Sequence, residues 1–280
     1  MLGGGPEGRG SVRRAARRLT PAGGETRDEV VAEEVAVALV YNGISHAVMM
    51  ATPCDLEDFA RGFTLTEHIV DKPSEIYDIE VEDRRIESGG RGIEVNLEIA
   101  SQRMTVLQER RRSMSGRTGC GLCGVDSLEA ALRPVPATRA TATVSRAAIT
   151  RAMAALPGEQ RINKDNGATH AAGWARADGS LLLVREDVGR HNALDKLAGA
   201  LSKMDRGGPG ERDGGFVVVT SRCSYEMVQK AAAIDAAAIA AVSAPTSLAI
   251  ATAEQAGLAL VAFVRDNRLT VYAHGARIEA

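Results

Sequence analysis

Two apolar runs, residues 35–40 and 44–50, flank Tyr41-Asn42-Gly43. Asn-Gly between such runs predicts a β-hairpin, because the turn it favours matches the twist of paired strands. Thr52-Pro53-Cys54-Asp55 follows, with threonine as a helix N-cap and proline at the first helical position. Leu56, Phe59, Ala60, Phe63 and Ile69 supply the buried face of that helix. Cys54 then falls in its first turn, as a small helix-start residue. Residues 76–81 and 92–99 alternate in strand fashion. The first hundred residues predict a small α+β domain.

Beyond residue 140 the period changes. Ser145 caps a predicted helix ending near Leu156, and residues 168–176 and 181–185 read as strands joined by Asp178-Gly179. A helix is predicted over 189–203, and the Gly-rich stretch 206–215 as a surface loop. Strand 216–220, helix 224–236, strand 238–242, helix 246–256 and strand 258–264 then alternate. A last strand, 269–272, follows the turn at Asp266-Asn267. Such alternation implies crossover connections and a largely parallel sheet. The expected fold class is α/β (α+β overall), with a small α+β domain at 28–107, a mobile loop at 108–140 and an α/β domain at 141–280. Residues 1–27 are rich in Gly and Arg and poor in large apolar side chains, and read as a disordered basic tail.

Composition narrows the function. At 280 residues and 45% hydrophobic the chain can bury a large core, and with 3% aromatics that core must be Ala, Val, Leu and Ile. A net charge of −2 argues against a general nucleic-acid binder, while local basic stretches leave room for a phosphate-bearing ligand. No run reaches the roughly 18 apolar residues of a membrane helix. Arg13-Arg14 and Arg17-Arg18 are followed by no apolar h-region, so they do not read as an export signal. Four cysteines do not make a disulfide scaffold, and free thiols fit a reducing cytoplasm.

Two of those cysteines lie in Thr118-Gly119-Cys120-Gly121-Leu122-Cys123-Gly124. The glycines keep side-chain bulk away from the sulfurs. Arg103, Arg110, Arg111, Arg112 and Arg117 upstream favour thiolate over thiol, and the thiolate is the nucleophile. Asp126-Ser127-Leu128-Glu129 has capping-box spacing and places Cys123 near a helix N-terminus. A structural zinc site needs four ligands, and here there is one close pair with no nearby histidine. No metal site is expected. Dithiol redox chemistry and sulfur transfer both remain open on spacing alone.

Three predicted strand ends carry polar clusters, where open α/β sheets bind ligands. Thr220-Ser221-Arg222-Cys223-Ser224 offers hydroxyls, helix-start N–H groups and a guanidinium. Ser243-Ala244-Pro245-Thr246 repeats the arrangement one unit later. In Phe263-Val264-Arg265-Asp266-Asn267-Arg268, Arg265 and Arg268 suit a pyrophosphate, and Asp266 suits the N1–H and exocyclic amine of guanine. Each end alone reads more readily as an ordinary capped turn, and three on one sheet edge point to a phosphate ligand. In Glu186-Asp187-Val188-Gly189-Arg190-His191-Asn192-Ala193-Leu194-Asp195-Lys196, His191 and Asp195 are four apart on a helix, so the carboxylate is placed to orient the imidazole. His170 stands at a strand start, the usual place of a satisfied core histidine. Cys223 reads as a bystander or a sulfur recipient.

Assembled, these segments resemble the FdhD family of sulfur carriers required for formate dehydrogenase activity. The likeness rests on Met49-Met50-Ala51-Thr52-Pro53, on the Cys120–Cys123 segment, on residues 186–196, on Tyr225-Glu226-Met227-Val228-Gln229-Lys230, on Ser243-Ala244-Pro245-Thr246 and on residues 263–268, in order over about 33–278. It implies a persulfide on Cys120, accepted from a cysteine desulfurase, with Cys123 a candidate resolving thiol. The acceptor it implies is the bis-molybdopterin guanine dinucleotide form of the molybdenum cofactor, a transient ligand that GDP mimics and that is bound for formate dehydrogenase. Phe263, Val264, Arg265, Asp266, Asn267 and Arg268 would hold its nucleotide, with Ser221, Arg222, Ser243, Thr246 and His191 as further candidates. The resemblance also implies a homodimer and a larger domain of cytidine-deaminase-like, three-layer fold. Deaminase chemistry itself is not expected: His170-Ala171-Ala172 lacks the glutamate of H-x-E, and Pro53-Cys54 lacks a second cysteine. A cofactor-binding chaperone without sulfur chemistry and a dithiol oxidoreductase are the rival functions.

Overall fold

Two mixed sheets, each covered by helices, make up the computed structural model of this chain. It describes residues 10–86, 89–104, 107, 135–204, 210 and 212–280. The first sheet has the order β4-β3-β6-β5. Strand β3 (Val35–Tyr41) pairs antiparallel with β4 (Ile44–Ala51) and parallel with β6 (Arg91–Ile99), which pairs antiparallel with β5 (Ile76–Arg85). Asn42 (φ 47°) and Gly43 (φ 80°) form the turn between β3 and β4, in the left-handed region that Asn-Gly tolerates. Helix α1 (Leu56–Thr66) lays Leu56, Phe59, Ala60 and Phe63 against Val37, Leu39, Val95 and Leu97.

The second sheet has the order β13-β12-β11-β10-β8-β9. Its strands are β8 (His170–Ala175), β9 (Leu181–Asp187), β10 (Phe216–Val219), β11 (Ala238–Ala241), β12 (Ala259–Arg265) and β13 (Arg268–Ala273). Only β10, β11 and β12 run parallel, and the other three neighbouring pairs are antiparallel. The sheet is therefore mixed rather than largely parallel, because the β8–β9 and β12–β13 connections are hairpins. Period-two alternation divides the strands between two cores. Val217, Val219, Ile239 and Leu260 face α4 (Arg190–Met204), α5 (Tyr225–Ala233) and α6 (Ser247–Ala256). Phe216, Val218, Ala240 and Val261 face α2 (Arg146–Glu159), whose N-cap Ser145 accepts from Ala148 N–H. The result is three layers. A short α3 (Arg161–Asn166) follows α2, and β14 (Ile278–Glu279) pairs with β7 (Val144–Ser145).

The described part of the expected disordered tail, residues 10–27, is ordered instead. Strands β1 (Ser11–Thr20) and β2 (Gly23–Ala32) form an antiparallel ribbon. Its arginines lie opposite acids where charge permits, Arg14 against Glu29 and Arg18 against Glu25. Its base is fixed by Asn166 Nδ2 donating to Ser11 Oγ at 2.9 Å and Glu33 N–H to Gly10 O at 3.0 Å. Low hydrophobicity hid a segment held by cross-strand pairing.

Helix α1 of the smaller sheet crosses α4 of the larger one almost backbone to backbone. A Cβ on Gly62 would stand 1.7 Å from Asp195 O, and one on Gly199 would stand 1.9 Å from Asp58 O. Only glycine permits this approach. The crossing is reinforced by ions: Arg185 donates to Asp58 at 2.8 Å, and Lys203 lies 2.6 Å from the other oxygen of the same carboxylate.

Candidate functional site

The segment 186–196 divides into residues that hold the two sheets together and residues that face a ligand edge. Glu186 accepts from Ile162 N–H, Asn163 N–H and Thr169 Oγ1, each at 2.8 Å, and so caps the start of α3. Asp187 is fully buried and accepts from Thr52 N–H, Gly189 N–H and Asn192 Nδ2. The ammonium of Lys196, also fully buried, sits 2.7 Å from Asp187 and donates to Thr52 O at 3.0 Å. Asp195 accepts from Thr66 Oγ1 at 2.6 Å and lies 2.9 Å from Lys230. Burial works against the Lys230 charge, but Asp195 and Glu67 outweigh it and hold its pKa above the ordinary lysine value.

Three sequence expectations are corrected by this junction. Thr52 is not a helix cap: its hydroxyl accepts from Val188 N–H, 136 residues away, and α1 begins at Leu56 behind Asp55 (φ 52°). Pro53 keeps its predecessor extended, so Thr52 leaves the helix and serves the junction. Cys54 accordingly precedes α1 rather than lying in its first turn, with Lys196 Nζ 3.9 Å from its sulfur. Nor does His191 pair with Asp195. The buried carboxylate goes to Lys230, whose full charge binds it more strongly than an imidazole would.

His191 instead turns toward the end of the larger sheet. Its Nε2 lies 3.4 Å from Ser224 Oγ and 3.6 Å from Glu226, and Ser224 donates to Glu226 at 2.8 Å. The nearby His191 ring, then the Ser224 hydroxyl, lower the Glu226 pKa to about 2, against an opposing push from burial. His170 opens β8 opposite Asp187. Burial, then the charges of Arg190 and His191, lower its pKa and favour the neutral ring.

Because β10, β11 and β12 run parallel and adjacent, the three strand ends singled out above do share one sheet edge. The first two interlock: Cys223 N–H donates to Ala244 O, and Thr246 N–H donates to Cys223 O. Ser221 is buried, with its hydroxyl donating to Arg222 O, and the Thr246 hydroxyl accepts from Ala249 N–H as the α6 cap. These two are turn-forming groups with their polar atoms already engaged. Ser243 stays half-buried at the edge, and Arg222 is exposed. Cys223 is fully buried and burial pushes its thiol pKa up to about 12, which disfavours the nucleophilic thiolate there.

The third end is a two-residue hairpin. Asp266 (φ 50°) and Asn267 (φ 62°) turn between Arg265 and Arg268, which pair across it. A register shift between Ala262 and Arg265 holds Phe263 at φ 53°, a conformation a bulky residue rarely adopts. The bulge turns the ring out to 46% exposure beside exposed Arg265, Asp266, Asn267 and Arg268, while Val264 stays buried. Strain held at a bulge that re-aims a side chain is typical of functional positions. Cys120 and Cys123, with the expected loop up to residue 134, lie outside the described residues. Among the described residues there is no His, Cys, Asp and Glu cluster able to hold a metal ion, and no helix is long and apolar enough to cross a membrane.

Fold and site together define a mixed α/β protein that joins two sheets through buried ion pairs and presents a basic, hydroxyl-lined sheet edge. The FdhD/NarQ family model matches residues 32–279, and the chain belongs to that family. It is similar to the sulfur carrier protein FdhD of Cupriavidus necator, 56% identical over 249 residues that cover 89% of this chain and 83% of that one. The FdhD of Bordetella petrii is 50% identical over 256 residues, covering 91% and 89%. Among solved structures, a protein from Desulfotalea psychrophila, assigned as a formate dehydrogenase accessory protein, superposes with a TM-score of 0.70 at 25% identity. That match covers 96% of this chain and 99% of the other.

Proposed function

We propose that this chain is a sulfurtransferase acting as a persulfide carrier for formate dehydrogenase. The reading rests on its membership of the FdhD/NarQ family and on relatives named as sulfur carriers. In it, the Cys120 thiolate attacks the persulfide of a cysteine desulfurase, whose own cysteine leaves as thiolate. Cys120 then bears the terminal sulfur; the Cys123 thiolate attacks the inner Cys120 sulfur, a Cys120–Cys123 disulfide forms, and the terminal sulfur leaves as hydrosulfide to the bis-molybdopterin guanine dinucleotide molybdenum cofactor, a cellular dithiol reductant then restoring both thiols. Cys123 is the candidate resolving thiol. The protein works in the cytoplasm as a homodimer, and its larger, three-layer domain is of cytidine-deaminase type with the pocket reused for a nucleotide.

The observation that carries the acceptor side is the Phe263 bulge. It presents an aromatic face for a base, with two guanidiniums and a carboxylate on the same short hairpin. Arg265 and Arg268 suit a pyrophosphate, and Asp266 accepts from the guanine edge. Guanine nucleotide binding tests this directly. In titration calorimetry with GDP, Arg265→Ala and Asp266→Ala are each expected to lose about tenfold in affinity, the worth of one charge-assisted hydrogen bond. Wild-type affinity in both variants would move the acceptor site elsewhere.

A further inference from the structure

The β1–β2 ribbon has two unlike faces. On one, Arg14 and Arg18 lie opposite Glu29 and Glu25. On the other, Arg13 lies opposite Val30 and Arg17 opposite Thr26, and Asp28 across from Ala15 is the only acid. Neither Arg13 nor Arg17 has an ion-pair partner among the described residues. Leu19 shares this face and is 72% exposed. The ribbon is anchored at its base, and its ten-residue strands carry the tip roughly 30 Å outward. A two-stranded ribbon is marginally stable by itself, so a basic and apolar face left bare favours a partner.

The smaller sheet offers a face of matching chemistry. Helix α1 packs on the side of Val37, Leu39, Val95 and Leu97. Strand alternation sends Val48, Met50, Asp78, Glu80 and Glu98 to the opposite side. Val48 and Met50 are 53% and 48% exposed. Asp78 stands directly across from Glu98, and like charges so placed repel. Neither they nor Glu80 has an ion-pair partner among the described residues. By contrast, Glu82 and Glu94 on the same side are already bridged by Arg84. An apolar strip beside uncompensated carboxylates fits a partner that brings cations and an apolar anchor.

We infer that the ribbon of one copy lies across this face in a second copy, with Leu19 on Val48 and Met50, and Arg13 and Arg17 against Asp78, Glu80 and Glu98. The spans agree: three strand spacings put β5 about 14 Å from β4, while Arg17 and Arg13 stand about 7 and 20 Å from Leu19 along β1. Exchanged about a two-fold axis, the two contacts close the assembly at two copies. A second copy is the favoured occupant because one chain carries both halves of the contact, opposite in charge and each with an apolar anchor. This interface rests on the homodimer of the proposed reading, while the sulfur chemistry does not enter it.

Sedimentation-velocity ultracentrifugation of the full-length protein tests it. The wild type is expected to run as a dimer that loosens as salt rises. Arg13→Glu with Arg17→Glu, and separately Asp78→Lys with Glu80→Lys, set like charges face to face, and each pair is expected to weaken the dimer by about a hundredfold. An equimolar mixture of the two double variants restores opposite charges at both contacts and is expected to recover the dimer, which also shows that both variants fold. Variants that dimerise like the wild type would overturn the interface and leave the homodimer standing on another surface. A monomeric wild type would overturn both. Failure of the mixture to dimerise would overturn the pairing of ribbon with sheet.

Discussion

Cells producing Cys120→Ala in place of the wild-type chain are expected to lose formate dehydrogenase activity almost completely, while the variant accumulates as folded protein. The expected loss is near complete because, in this reading, Cys120 alone bears the transferred sulfur. Cys223 is fully buried with its thiol pKa pushed up to about 12, so almost no thiolate forms there near neutrality. Cys54 sits beside the Lys196 ammonium at the junction of the two sheets. A serine at position 120 should fail equally, since an alcohol cannot carry sulfane sulfur. A chaperone that only shields the cofactor predicts the opposite, namely undiminished activity in Cys120→Ala. A dithiol oxidoreductase predicts that the wild type turns over disulfides and gains no sulfur from a desulfurase.

Lys196→Met should bring the second large effect, on stability. The ammonium is fully buried, 2.7 Å from a fully buried Asp187 and within hydrogen-bond reach of Thr52 O. Removing it strands a carboxylate with only neutral donors, a loss of about 3–5 kcal/mol. Asp187 binds both Thr52 from the smaller sheet and Gly189 from the larger one, so the damage should fall on the junction as a whole. Urea unfolding of wild type and variant measures it. The double variant Lys196→Met with Asp187→Asn removes the stranded charge and should recover part of the loss. A single-variant loss below about 1 kcal/mol would show that the pair contributes little beyond its neighbours.

Local periodicity made much of this fold legible. Asn42-Gly43 marked its hairpin, Ser145 marked the start of α2, and the alternation from 216 to 264 marked the strand–helix units. The three strand ends were legible for the same reason, because parallel neighbours must end on one edge. What the sequence hid depends on distance along the chain. The partner of Thr52 is Val188 and that of Asp195 is Lys230, and no window of 20 residues contains either pair. Residues 186–196 therefore read as a helix in which Asp195 orients His191, whereas most of their charge is spent on joining two sheets. The ribbon of β1 and β2 was missed because its strands gain from each other and not from a buried apolar face.

Mass spectrometry of the intact protein after incubation with a cysteine desulfurase and cysteine tests the central claim most directly. One added sulfur atom on Cys120, released by reductant and missing from Cys120→Ala, is the predicted result. An unmodified wild-type protein, or an adduct that survives in Cys120→Ala, would contradict it.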